Sequence, residues 1–296
     1  MAIAMVAGCG PGGRQPGPAE PVVAPEPTEV AASSTSTALP PAPATLVEPS
    51  PAAALPAPPP SPTGLGGAEL RRRYALASAK QLLIGDQGDG YEDLYGTRNV
   101  RAVLNGVFYR GGANNYFHRD GKRHNKNPLP ADGLTNLCRQ GFATSVYLYP
   151  TNFEQAARET TCQTVAGTDG TLAYEQMTTQ HGKKSDLRLL FGWIQDSVRQ
   201  PGRGAVYAHC WNGWHASGYV GAVALRQFCG FTGPQAVKYW NATAKGASKA
   251  EHDGTRERIT KFKPFSEFSL TDEEQAALCP DPMSLKFAAP EPASLR

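Results

Sequence analysis

The sequence predicts an α/β protein with a central, mainly parallel sheet flanked by helices, forming one domain behind a disordered N-terminal tether. Three observations carry this. β-rich runs alternate with segments of helical period along the folded part, as strands joined by crossover helices do. The run Ala205 to His209 is short and apolar on both sides, the pattern of a strand covered on both faces. Finally, 16 of the 26 prolines fall between Pro11 and Pro62, in a stretch without one aromatic residue. Such a composition cannot bury enough apolar surface to fold. The rest of the 296 residues suits a single domain. The expected boundaries are a tether over 10–66, a folded domain over 67–278 and a disordered tail over 279–296.

Each element has a local reason. Leu70, Tyr74, Ala77 and Leu82 share one face of a helix expected over 68–84. Asp86 to Asp93 is acidic but lacks the regular spacing of a calcium loop, so it reads as a surface turn. Val100 to Tyr109 supplies one or two short strands ending in Arg110-Gly111-Gly112. A short helix follows over Asp132 to Gln140, with Asp132 as its cap and Gly141 as its end. Phe142 to Tyr149 is a strand closed by Pro150. The polar stretch 151–184 holds a short strand at Tyr174 to Met177. Ser185 caps an amphipathic helix over Leu187 to Arg199, with Leu190, Trp193, Ile194 and Val198 on one face, and Pro201-Gly202 breaks it. The strand Ala205 to His209, an apolar helix over Ser217 to Phe228 and a helix from Gly233 to about Tyr239 follow. Residues 246–258 read as charged loop, and Phe262, Phe265, Phe268 and Leu270 as an apolar strip.

Net charge is +3, but residues 1–65 hold Arg14 against Glu20, Glu26, Glu29 and Glu48, which leaves +6 on the remainder. A charge so diluted excludes a long nucleic-acid stripe and leaves room for a small anion pocket. No apolar run approaches the length of a membrane-spanning helix. No pattern for a metal or cofactor is present.

The N-terminus Val6-Ala7-Gly8-Cys9 resembles the lipobox of bacterial lipoproteins, where small residues precede the Cys that is lipidated. The resemblance makes residues 1–9 a signal remnant, Cys9 the lipidation site and the lipid the only membrane contact. As flexible coil the following tether spans about 40 Å, and as polyproline II at most about 165 Å. Gly10 in place of an aspartate favours the outer membrane; a cytoplasmic protein is the alternative. An exported domain permits disulfides. Of Cys138, Cys162, Cys210, Cys229 and Cys279 one is left over; Cys138–Cys162 and Cys229–Cys279 are candidate pairs, though spacing leaves the connectivity open.

The segment His209-Cys210-Trp211-Asn212-Gly213-Trp214-His215-Ala216-Ser217-Gly218 joins a strand to a helix start. Unpaired amides and the helix dipole make such a junction an anion cradle, and the same field favours a thiolate at Cys210. Gly213 permits the tight turn, and Ser217 can donate to the thiolate. Trp211 and Trp214 either cover the loop from outside or stack on a ligand to which Asn212 and His215 hydrogen-bond.

This segment resembles the signature loop of cysteine-dependent protein tyrosine and dual-specificity phosphatases: His-Cys, five residues, Arg, then Ser or Thr. Asn99-Val-Arg101 through Val107 to Gly111, and Leu134 with Gly141 to Val146, resemble the entry strand, helix and central strand of bacterial members. The resemblance covers about 97–245. It implies a dual-specificity-phosphatase-like fold, Cys210 at the nucleophile position, Ser217 at the hydroxyl position and His209 supporting the loop. The candidate ligand site is His209, Trp211, Asn212, Gly213, Trp214, His215, Gly218 and Arg110, for a phosphorylated or other anionic group. Two parts of that chemistry are missing. Ala216 stands where the family has arginine, whose two charge-assisted bonds are together worth about 3–6 kcal/mol, or about 10²- to 10⁴-fold in rate. Glu175 to Gly182 holds no aspartate to act as general acid; Asp186 reads as first-turn helix chemistry, and Glu175 or His181 are improvised substitutes. The expectation is a pseudophosphatase that binds without turnover. The alternatives are an active divergent phosphatase using His215 or Arg110 as its cation, and a structural envelope lipoprotein.

Overall fold

A computed structural model describes residues 67–87, 90–113, 128–177, 183–200 and 202–289. In chain order the elements are α1 (Gly67–Tyr74), β1 (Thr97–Leu104), β2 (Phe108–Ala113), α2 (Ala131–Arg139), β3 (Phe142–Tyr147), β4 (Glu159–Gln163) and β5 (Asp169–Gln176). They continue with α3 (Lys184–Arg199), β6 (Ala205–Cys210), α4 (Ala216–Phe228), α5 (Gly233–Thr243), α6 (Asp253–Lys261) and α7 (Asp272–Leu278).

The strands form one sheet in the order β1-β2-β6-β3-β5-β4. β2, β6, β3 and β5 run parallel, while β1 and β4 are antiparallel edges. The expected α/β class holds, but the sheet is mixed rather than mainly parallel. The cause is local: β1 returns into β2 through three residues, with Gly106 at φ 82°, and a link that short makes a hairpin and no crossover. β4 and β5 are joined by a five-residue link, with Gly167 at φ 78°, and form a second hairpin. That second hairpin lies in the polar stretch where only a short strand at Tyr174–Met177 was expected. Its edge strand is solvent-facing and its partner buries alternate residues such as Leu172 and Tyr174, so it lacks a continuous apolar run.

Alternation along β2 covers both faces of the sheet. Tyr109 points to α1, its ring 6.1 Å from Tyr74 and 5.2 Å from Phe142. Arg110 points the other way and donates to Tyr239 of α5. On that side α4 packs on β2 and β6, and Phe191 of α3 gathers Phe228, Phe262, Phe265 and Phe268 edge-on, so the expected apolar strip closes the core.

Several expected boundaries are corrected. The helix expected over 68–84 stops at Tyr74, because Ala75 turns left-handed at φ 44° and the chain beyond pairs with the C-terminal segment. There Ala79 N donates to Leu285 O and Phe287 N to Ala77 O. Residues 279–289 are accordingly not a disordered tail: Leu285 and Phe287 are buried, and Cys279 is disulfide-bonded to Cys229. Asp132 does not cap α2; Pro130 precedes the helix, and the Asp132 carboxylate accepts from Gly133 N within the first turn. Ser185 likewise lies inside α3, whose cap position is Lys183. The charged stretch 246–258 contains most of α6, anchored by buried Ile259. Cys138–Cys162 is the second disulfide, and among the described residues Cys210 is the free, buried thiol. No helix among the described residues is long and apolar enough to cross a membrane.

Candidate functional site

β6 delivers His209 and Cys210 to opposite faces of the sheet at its carboxyl edge, as strand periodicity requires. His209 is fully buried among the rings of Tyr147, Tyr174 and Tyr207, at 5.3, 5.7 and 5.8 Å. Burial holds its pKa down to about 3, so the imidazole is neutral. Its Nδ1–H donates to the Cys210 carbonyl at 3.3 Å, and Nε2 accepts from Tyr174 Oη at 2.8 Å. Tyr174 Oη in turn accepts from Leu129 N at 2.9 Å. With both nitrogens hydrogen-bonded inside the core, His209 braces the loop.

Cys210 is 2% exposed and its thiol donates to Ser217 Oγ at 3.4 Å. Between them the backbone is held from one side. The Trp211 carbonyl accepts from Ala113 N at 3.0 Å and from Arg98 Nε and Nη2 at 3.3 and 3.2 Å. The Asn212 carbonyl accepts from Asn99 Nδ2 at 2.7 Å, and the Gly213 carbonyl from Arg110 Nη1 at 2.8 Å. All these donors lie on β1 and β2. Three consecutive carbonyls are thus drawn toward the hairpin. Glycines make the approach close enough: a Cβ on Gly112 would stand 2.6 Å from the Asn212 carbonyl carbon, and Gly213 sits at φ 76°.

α4 starts at Ala216 behind His215, without a side-chain cap. Gly218 N and Tyr219 N bond to the carbonyls of Trp214 and His215. The amides of Ala216 and Ser217 have no acceptor among the described residues. A helix start left open inside a fold is where an anion gains most from backbone donors.

The structure brings together His209, Cys210, Trp211, Asn212, Gly213, Trp214, His215 and Ser217 in one loop. Arg110 and Gly218 are placed otherwise, and the His215 side chain leaves the loop's interior. Arg110 is fully buried behind the loop, its donors on Gly213 O, Tyr239 Oη and Thr243 O. It braces the cradle and cannot serve as a substitute cation at its mouth. Gly218 packs under Trp240, where a Cβ would meet the indole at 2.9 Å, and its amide is already bonded. The His215 ring turns outward, donating from Nε2 to Lys245 O at 2.9 Å and lying 4.3 Å from the His252 ring. The side chain of Asn212 accepts from Arg98 Nη2. Trp211 is 41% exposed, and Trp214 carries Lys245 Nζ 5.0 Å from its ring. Asp186 is buried in the first turn of α3 beside Lys183; Glu175 is exposed on β5, and His181 lies outside the described residues.

Arg98 and Asn99 are loop-holding residues that the sequence reading missed; the neighbouring Arg101 donates to Asn99 O within the same strand. Their signal was present: Arg98-Asn-Val-Arg101 puts three polar groups into a strand buried along its whole length. Arg101 stands in register with Arg110, and burial together with that neighbouring charge holds its guanidinium down to about 9. No group of three or more His, Cys, Asp or Glu among the described residues could hold a metal.

Fold and loop together define an α/β protein with a strand, buried cysteine and uncapped helix start at one sheet edge. Comparison with known proteins adds no family to that class: no family model, no curated protein and no solved structure matches the chain.

Proposed function

We propose that the Cys210 loop is an oxyanion seat that binds a phosphorylated or other anionic ligand without turning it over, in a dual-specificity-phosphatase-like domain. One observation carries this reading. The amides of Ala216 and Ser217 have no acceptor among the described residues, while the guanidiniums of Arg98 and Arg110 are buried behind the loop and donate to its Trp211 and Gly213 carbonyls. Donors for an oxyanion therefore coexist with the loss of the cationic fork that would stabilise a transition state. In this reading the domain hangs from a bacterial envelope membrane, the outer one favoured, by lipidated Cys9. The two disulfides support an oxidising compartment against the cytoplasmic alternative. A free Cys210 argues against a purely structural envelope protein whose thiols are all consumed in crosslinks.

The thiol-to-Ser217 hydrogen bond favours a second reading, an active but divergent phosphatase that retains its nucleophile. Turnover of a chromogenic phosphomonoester separates the two. The first reading expects none above background, with vanadate or phosphate still bound by the wild type. Turnover abolished by Cys210→Ser would replace it with the second.

A further inference from the structure

We propose that the groove between α3, α4, α6 and residues 262–267, which sets three cations without a carboxylate partner among the described residues over an aromatic floor, docks an acidic polypeptide segment carrying at least one large apolar side chain. The groove encloses 780 Å³. Five basic side chains line it against two carboxylates. Both carboxylates are consumed within it: Glu267 by Arg188 at 2.7 Å and Glu257 by Lys261 at 2.5 Å. Lys184, Arg258 and Lys263 are left without a carboxylate partner among the described residues. Arg258 makes only a neutral contact, from Nη2 to Thr255 Oγ1 at 3.0 Å.

Beneath these charges Tyr219 and Phe265 are 4% and 8% exposed, with Phe262 and Leu187 beside them. The Arg188 guanidinium lies 4.6 Å from the Phe265 ring centroid, so one wall already holds a cation against an aromatic face. Three like charges on one concavity repel one another until a polyanion enters, and charge complementarity of this kind sets both partner choice and association rate. The concave apolar floor favours a chain that inserts a side chain over a bilayer, which meets a protein on a broad face.

The test is fluorescence anisotropy of the full chain with a labelled twelve-residue peptide of Glu, Asp and Phe, against the same peptide with Lys for every acid. The acidic peptide is expected to bind, losing roughly tenfold in affinity between about 50 and 300 mM salt. The Lys control is expected not to bind. The triple variant Lys184→Glu/Arg258→Glu/Lys263→Glu, changed only at exposed positions, is expected to lose the peptide by about a hundredfold or more while its thermal midpoint and vanadate binding stay unchanged. Equal binding by the triple variant overturns the proposal, as does binding to anionic phospholipid vesicles with none to the peptide. Failure of wild-type vanadate binding refutes the oxyanion seat alone and leaves the groove standing.

Discussion

A methyl group at Ala216 stands at the first residue of α4, whose first two amides have no acceptor among the described residues. Ala216→Arg is expected to tighten vanadate binding by about tenfold or more and to raise phosphomonoester turnover by about 10²- to 10⁴-fold. A change below about threefold would mean that some other group already supplies the charge. Arg110→Met should leave Gly213 O, Tyr239 Oη and Thr243 O without their donor and cost about 3 kcal/mol or more, read by chemical unfolding. His209 predicts a pH effect. Its folded pKa is depressed to about 3 by burial, so only the unfolded chain takes up the proton below about pH 6.5. Stability is therefore lost as pH falls from about 6.5 toward 3, by about 2 kcal/mol at pH 5. His209→Gln should unfold with a smaller difference between pH 7.5 and pH 5 than the wild type. Residue types in the loop were legible because nucleophile, glycine and hydroxyl are spaced along one chain segment. The partners of the buried arginines behind it were not, because what they hold lies more than 100 residues away.

The β1–β2 hairpin is the element that shapes the loop, since its amide, asparagine and arginine donors take the loop carbonyls. Gly112→Ala tests that contact: its Cβ would meet the Asn212 and Gly213 backbone at 2.6 Å, so the hairpin and the loop must separate. The expected cost is about 2 kcal/mol or more, with vanadate affinity lost at the same time; a variant that melts like the wild type and still binds would remove the hairpin from the site. Helices with a clear apolar face, such as α3, are read from periodicity, although Ser185 and Asp132 show that a capping residue type in the right neighbourhood need not cap. α1 ends early for a non-local reason. Residues 75–79 gain more from pairing with Leu285 and Phe287 than from another helical turn.

For the whole molecule, the C-terminal segment is a part of the core. Truncation after Cys279 removes the burial of Leu285 and Phe287 and is expected to cost about 3–5 kcal/mol, measured as a lowered denaturation midpoint. Loss of the Cys229–Cys279 bridge, which closes a separation of 50 residues, should cost about 4 kcal/mol through the freed unfolded chain. Composition and periodicity alone determined the α/β class, the principal helices and the cysteine loop, because each is written in neighbouring residues. The tertiary structure alone decided the mixed sheet, the disulfide partners, the buried position of Arg110 and the ordered C-terminal segment. Those depend on which distant segments meet, and a buried donor acquires its role only from the acceptor it finds there.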